Sequence, residues 1–299
     1  MYREEEYIRS TIMSIVTNKE LLDRALAGHY AVAAFNTNNL EYTQAILGAA
    51  AELRSPVIVS AAKSEIDYMD GYVFVAMVKA MAERLPIPVS IHLDHGPTYD
   101  ETVRCLRYGF SSVMYDGSSL PLEENILNTK RVVAAAHACG VSVEGEIGVI
   151  GSVDDGPEGP KDERYGLADP DQCEQFVKET GVDNFAAAIG NAHGVYKREP
   201  KLRFDLLEEI RRRTDVPLVL HGGTGIPEKD IRRAITMGVS KINFSTIMRK
   251  GGIETLTETL NANPGDLDLM KLLTPAKKRM TEIAIQHIRM CMSDGKAWT

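Results

Sequence analysis

Between Tyr30 and Ser245, short apolar runs alternate with longer stretches in which apolar residues recur every three or four positions. Eight runs read as strands: AVAAF (31–35), PVIVS (56–60), PVSIHL (88–93), SSVMY (111–115), VSVEGEI (141–147), NFAAAI (184–189), PLVLH (217–221) and SKINF (240–244). They are brief, rich in β-branched residues and mostly apolar on both faces, as strands of a parallel sheet covered on both sides must be. Helical periodicity fills the gaps at 40–53, 72–84, 99–108, 122–139, 170–179, 204–213 and 228–237. Asn38 and Asn39 offer caps for the first of these, since a short polar side chain can accept from the free N–H groups of a first turn. Gly109, Gly140, Gly181 and Gly238 fall just past helix ends, where the chain turns left-handed. Pro56, Pro88 and Pro217 open strands, where a missing N–H is tolerated.

Eight strand–helix units in about 220 residues predict an α/β fold of the (β/α)8 type, a TIM barrel. An open doubly wound sheet is the alternative, because strand order is not written in one sequence. A further helix at 18–27 precedes the first strand and is placed to plug the barrel's lower end; another at 274–290 follows the barrel. No Pro/Gly-rich linker divides the chain. The expectation is a single domain over 1–299, with the barrel at about 29–260 and a C-terminal helical extension at about 261–299.

Charge and composition narrow the function. The net charge of −8 argues against nucleic acid, whose phosphates need a basic surface. No run of about 18 apolar residues exists to span a bilayer, and MYREEEYIRS at the start lacks the apolar core of a signal peptide. Cys105, Cys139, Cys173 and Cys291 form no CxxC pair, so they read as free thiols of a reducing compartment, and the expected location is cytoplasmic.

In a parallel barrel, catalytic groups sit at the C-terminal ends of the strands. Reading the residue at each such end gives Asn36, Asp94-His95, Asp116, Glu144 and Glu146, Asn191 with His193-Gly194, His221-Gly222-Gly223-Thr224-Gly225, and Asn243. Three of the seven histidines, His95, His193 and His221, therefore converge on one rim. Three imidazoles that leave a coordination position open form a catalytic zinc arrangement. HGGTG (221–225), and Ser245 with Thr246 at the next helix start, present backbone N–H groups able to cradle a phosphate; ordinary helix capping is the plainer alternative for Ser245. The stretch from Gly148 to Asp169 is long for a βα connection and reads as a lid, with Asp154 and Asp155 as its proton-transfer candidates. His92 lies on the strand face shared with Asp94 and is left without a role.

IHLDHG (91–96), SSVMYDGS (111–118), VEGEIG (143–148), AIGNAHGVY (188–196), LHGGTGIP (220–227) and KINFST (241–246), in this order, resemble the class II ketose-bisphosphate aldolases, the family that includes fructose- and tagatose-bisphosphate aldolases. The resemblance runs from about Asn18 to Ile288. It implies zinc on His95, His193 and His221, with Asp116 and Glu146 supporting or alternatively holding the ion. It implies Asp94 as the acid/base, and Asn36 near the reacting carbons. Gly194, Gly222, Gly223, Thr224, Asn243, Ser245 and Thr246 would hold dihydroxyacetone phosphate, with a monovalent cation near that phosphate. A phosphorylated sugar is then the substrate, and a homodimer or homotetramer the assembly.

Two positions depart from the family. The lid glutamate falls on Asp154 in GSVDDG (151–156), one methylene shorter. The serine and the neighbouring subunit's arginine that grip a distal phosphate fall on Ala62 and Ile285, leaving Lys63, Arg249 and Arg289 as the nearby cations. The expectation is a ketose 1-phosphate or ketose 1,6-bisphosphate, with the altered distal site favouring a ketose that keeps its C1 phosphate and carries a neutral or acidic group other than phosphate at the far end. A zinc hydrolase on the same barrel and a non-catalytic subunit of an aldolase complex are the rival readings. A hydrolase has no need of the phosphate-binding loops, and an intact rim speaks against a dead subunit.

Overall fold

A computed structural model describes residues 14–151, 166–194, 196 and 199–298. Eight parallel strands close into a barrel in sequence order: β1 (Val32–Asn36), β2 (Val57–Ala61), β3 (Val89–Gly96), β4 (Ser112–Tyr115), β5 (Ser142–Ile147), β6 (Asn184–Ala187), β7 (Leu218–Leu220) and β8 (Val239–Phe244). β8 returns to β1 through the pairs Val32↔Lys241 to Phe35↔Phe244, so no sheet edge is left open. Every residue of β1, β2, β4, β5, β6, β7 and β8 is buried, which explains runs apolar on both faces.

The helices are α1 (Asn18–Gly28), α2 (Leu40–Glu52), α3 (Lys63–Met69), α4 (Gly71–Ala82), α5 (Tyr99–Tyr108), α6 (Leu122–Ala138), α7 (Pro170–Thr180), α8 (Phe204–Arg213), α9 (Glu228–Thr236), α10 (Thr246–Ala262) and α11 (Leu269–Met290). Asn39 caps α2 by accepting from Tyr42 N, as its sequence position predicts. Gly109 and Gly181 close α5 and α7 in left-handed conformation. α1 lies against β1, β3, β5, β6 and β8 at the N-terminal end of the barrel and buries Leu21, Leu22 and Ala25 there.

Several boundaries differ from the periodicity reading. β6 stops at Ala187 and β7 at Leu220, so His221 stands just beyond its strand. β3 runs on to Gly96. The last helix begins at Leu269, not near Thr274: it packs along α2 and α10, and that apolar seam carries it through Pro275. The seven-residue α3 is too short to show a period, and the sequence reading passed over it.

Candidate active site

An ideal strand sends neighbouring side chains to opposite faces, so Asp94 and His95 cannot both serve one site on it. The backbone resolves this locally. His95 takes φ +50°, and the β3–β4 register shifts between Leu93 and Gly96. A left-handed residue at a register shift re-aims its side chain, at a cost of about 1–3 kcal/mol that the surrounding contacts must offset. Asp94 keeps the interior direction. Its Oδ1 accepts from Asn243 Nδ2 on β8 at 2.8 Å and its Oδ2 from Asn36 Nδ2 on β1 at 3.1 Å.

The three rim imidazoles come together. Ring centroids are 4.5 Å apart for His95 and His221, 4.9 Å for His95 and His193, and 5.9 Å for His193 and His221. One nitrogen from each lies within 4.8 Å of the others. Two of the remaining nitrogens make orienting contacts: His95 Nδ1 donates to Asp116 Oδ2 at 2.7 Å, and His221 Nε2 donates to Glu144 Oε1 at 2.9 Å. That leaves His95 Nε2 and His221 Nδ1 facing each other at 3.1 Å. His95, Asp116 and Glu146 form a second, overlapping group with the same compactness. Glu146 is buried, and its Oε2 has no hydrogen-bond partner among the described residues.

The electrostatics are those of a site built for a cation. Burial raises the Asp94 carboxyl, but the imidazoles of His95 and His221 and the Lys241 ammonium outweigh it and hold the group well below the usual carboxylate range. Burial lowers His95, yet Asp94, the bond to Asp116 and Glu146 push it up to about 10. His193, half-buried and desolvated beside those two rings, drops to about 4. Glu146, crowded by Asp116 and Glu144 and desolvated, rises well above its ordinary value despite His95. Carboxylates outnumber the fixed cations, and a proton on one imidazole partly fills the deficit. Three nitrogen donors, an unpartnered buried carboxylate oxygen and this deficit fit a divalent cation of zinc's preferences.

Beside the imidazoles, Asn36, Asp94, His193, Gly194, Gly222, Thr224, Asn243, Ser245 and Thr246 line one cleft. Gly222 takes φ +65°, and a Cβ there would overlap the Ala192 carbonyl. Gly223 is packed so tightly on Ile242 and Phe244 that a side chain has no room. Thr224 Oγ1 accepts from Ile247 N at 3.3 Å, which joins the β7 loop to the first turn of α10. Ser245 caps α10 without a side-chain bond of its own, so that first turn opens on the cleft. Backbone N–H groups at such a terminus favour an anion.

The fructose-bisphosphate aldolase class-II family profile matches residues 16–296. This chain belongs to that family. A fructose-bisphosphate aldolase of Geobacillus stearothermophilus is 46% identical over 288 residues, covering 95% of this chain and 99% of that one. A 6-phospho-5-dehydro-2-deoxy-D-gluconate aldolase of Halalkalibacterium halodurans is 42% identical over 288 residues, with 95% and 99% covered. The crystal structure of the YdjI aldolase from Escherichia coli K12 superposes with a TM-score of 0.83 at 33% identity, covering 95% of this chain and 100% of that one. The protein is thus a class II aldolase, a carbon–carbon lyase; the family acts on phosphorylated sugars.

With the family established, the remaining predicted residues can be placed. Asp154 and Asp155 lie outside the described residues. Lys63, the first residue of α3, is exposed and ion-paired with Asp67 one turn on; it does not line the cleft. Arg249 is exposed on α10, and its charge acts on Tyr42 and Glu65. Ala62 precedes α3, its N–H donating to Glu65 at 2.7 Å, and Ile285 packs against the barrel's core from α11.

Five contributors had gone unassigned. Asn191 Nδ2 donates to the His221 carbonyl at 3.0 Å. Tyr196 Oη accepts from Ala192 N at 2.7 Å and donates to the Gly222 carbonyl at 3.2 Å, tying the two loops together. Glu144, Lys241 and His92 lie beneath the imidazoles. Period two was the available signal for the last three: Glu144 shares its face with Glu146, Lys241 with Asn243, and His92 with Asp94. No helix among the described residues is long and apolar enough to cross a membrane.

Proposed function

We propose that this aldolase cleaves a ketose 1-phosphate reversibly, to dihydroxyacetone phosphate and an aldehyde whose far end carries no phosphate. The observation that carries the reading is the position of Asp94. Its Oδ1 stands 3.9 Å from His221 Nδ1, both its oxygens are held by amides, and it shares a cleft with Gly222, Thr224, Ser245 and Thr246. A base, a cation site and an anion site therefore meet within one substrate's length.

In this assignment His95, His193 and His221 hold a zinc ion, and Asp116 and Glu146 support it. A zinc ion held there would supply Lewis acidity for the negative charge that develops as the C3–C4 bond breaks. Asp94 takes the proton from the C4 hydroxyl in cleavage and returns it in condensation. Asn36 and Asn243 keep the carboxylate aimed. Gly194, Gly222, Gly223 and Thr224, with Ser245 and Thr246, bind the C1 phosphate through backbone N–H and hydroxyl donors. Asp154, in the segment after β5, exchanges the proton at C3.

At the positions the resemblance assigns to a distal phosphate, Ala62 and Ile285 offer no charge-assisted fork, and Lys63 is paired with Asp67. A carboxylate, less demanding of donors, suits that end better. Relatives 42–44% identical are named for 6-phospho-5-dehydro-2-deoxy-D-gluconate, whose name describes a ketone beside a phosphorylated carbon and a carboxylate at the opposite terminus. Relatives named fructose-bisphosphate aldolase are as similar, so the substrate decides between the two. Dihydroxyacetone phosphate release should be measured in parallel from fructose 1,6-bisphosphate, tagatose 1,6-bisphosphate, a ketose 1-phosphate and the phosphorylated keto-deoxy sugar acid. Preference for the last two is expected. Turnover of either bisphosphate at kcat/KM in the ordinary enzymatic range would overturn the far-end assignment.

A further inference from the structure

Below the imidazoles, the barrel interior holds an ion pair where such barrels are ordinarily filled with branched apolar side chains. Lys241 of β8 and Glu144 of β5 are both fully buried. The three hydrogens of the Lys241 ammonium meet three acceptors: Glu144 Oε1 at 2.9 Å, Glu144 Oε2 at 2.7 Å and His92 Nε2 at 3.1 Å. Asn184 Nδ2 donates to Glu144 Oε2. His92 accepts from the ammonium at Nε2, and its Nδ1 lies 2.9 Å from Ser112 Oγ and 3.2 Å from Asn18 Nδ2. A pair this deeply desolvated is poor value for stability, because apolar side chains of the same volume serve a core as well or better. Its retention calls for another account, and the remaining contact supplies one: Glu144 Oε1 is 2.9 Å from His221 Nε2.

We propose that Lys241 and Glu144 are a positioning pair for His221, fixing which of its nitrogens faces the cation site; the inference rests on the metal assignment above. Glu144, saturated by the ammonium and the Asn184 amide, can only accept from His221. The His221 proton is thereby confined to Nε2, and Nδ1 is left as a bare lone pair. Nδ1 is the atom that faces His95 Nε2 and Asp94. Asn191, bonded to the His221 carbonyl, fixes the backbone from the other side. Lys241 touches neither ligand nor cleft; it acts through the carboxylate. The fixed proton also makes the imidazole a stronger donor toward a metal, the usual effect of a carboxylate behind a ligating histidine.

The test is metal affinity in folded variants. Glu144→Gln/Lys241→Met removes both charges at near-constant volume, while Glu144→Asp keeps the charge and withdraws it by one methylene. Folding is checked by circular dichroism and thermal melting. Zinc affinity is read by competition with a chromophoric chelator, and ligand geometry by the visible spectrum of the cobalt-substituted protein. Both variants should bind zinc about 10- to 100-fold more weakly than the parent, with an altered cobalt spectrum. Either variant, folded, with affinity within threefold of the parent and an unchanged spectrum overturns the pair's role while the metal assignment stands. A parent protein that takes up no zinc overturns the metal assignment and this inference with it.

Discussion

Asn243 of β8 donates to Asp94 at 2.8 Å across 149 residues of sequence, and Asn36 donates to the same carboxylate from the adjoining strand β1. Two neutral amides hold an ionised acid without neutralising it. Asp94→Asn keeps the shape and removes the base. It is expected to lower kcat by about 10²- to 10⁴-fold while zinc content, measured by atomic absorption, stays at the parent level. Loss of zinc in step with activity would move Asp94 from proton transfer to metal retention.

Gly222 approaches the Ala192 carbonyl with no room for a Cβ. Gly222→Ala requires a left-handed alanine and displaces the Ala192 carbonyl, next to His193. The variant should lose about 1–3 kcal/mol of stability and show a raised KM for the phosphorylated substrate. Thermal melting and steady-state kinetics read both. An unchanged KM would place the phosphate elsewhere.

Removal of metal should silence the enzyme reversibly. Dialysis against a chelator is expected to abolish dihydroxyacetone phosphate release, and one equivalent of zinc to restore it. His193→Ala should resist restoration at that stoichiometry, since it removes one of three imidazole donors.

Thiol chemistry gives a fourth check. Cys105, Cys173 and Cys291 are buried and Cys139 is exposed. Burial pushes Cys105 and Cys173 up to about 12 and Cys291 higher still, so all three stay protonated and unreactive at pH 8. An aromatic disulfide reagent should titrate one thiol rapidly in the native protein and four after denaturation. Rapid reaction of a second native thiol would show that a barrel helix opens locally.

The barrel was legible because burial on both faces leaves strands mostly apolar, β-branched runs, and because those runs end in polar residues at the rim. His95, His193 and His221 were visible for that reason. Less visible was how Asp94 and His95 share a site: alternation assigns them to opposite faces, and only the left-handed turn at His95 reconciles them. Glu144 and Lys241 escaped assignment because a charged residue inside a strand resembles a rim residue until its partner, 97 positions away, is known. α3 stays hidden because seven residues carry too little periodicity, and Lys63, a candidate distal-end contact in the sequence, pairs with Asp67 on that helix.

Closure of β8 onto β1 has a consequence for how the enzyme matures. The three imidazoles emerge from the ribosome by residue 221, but Lys241 and Asn243 arrive on the final strand. Until that strand docks, Glu144 lacks its counter-ion and Asp94 lacks one of its two amides. A nascent chain thus carries the three imidazoles before it carries the groups that orient them, and the site is completed as the last seam of the barrel closes.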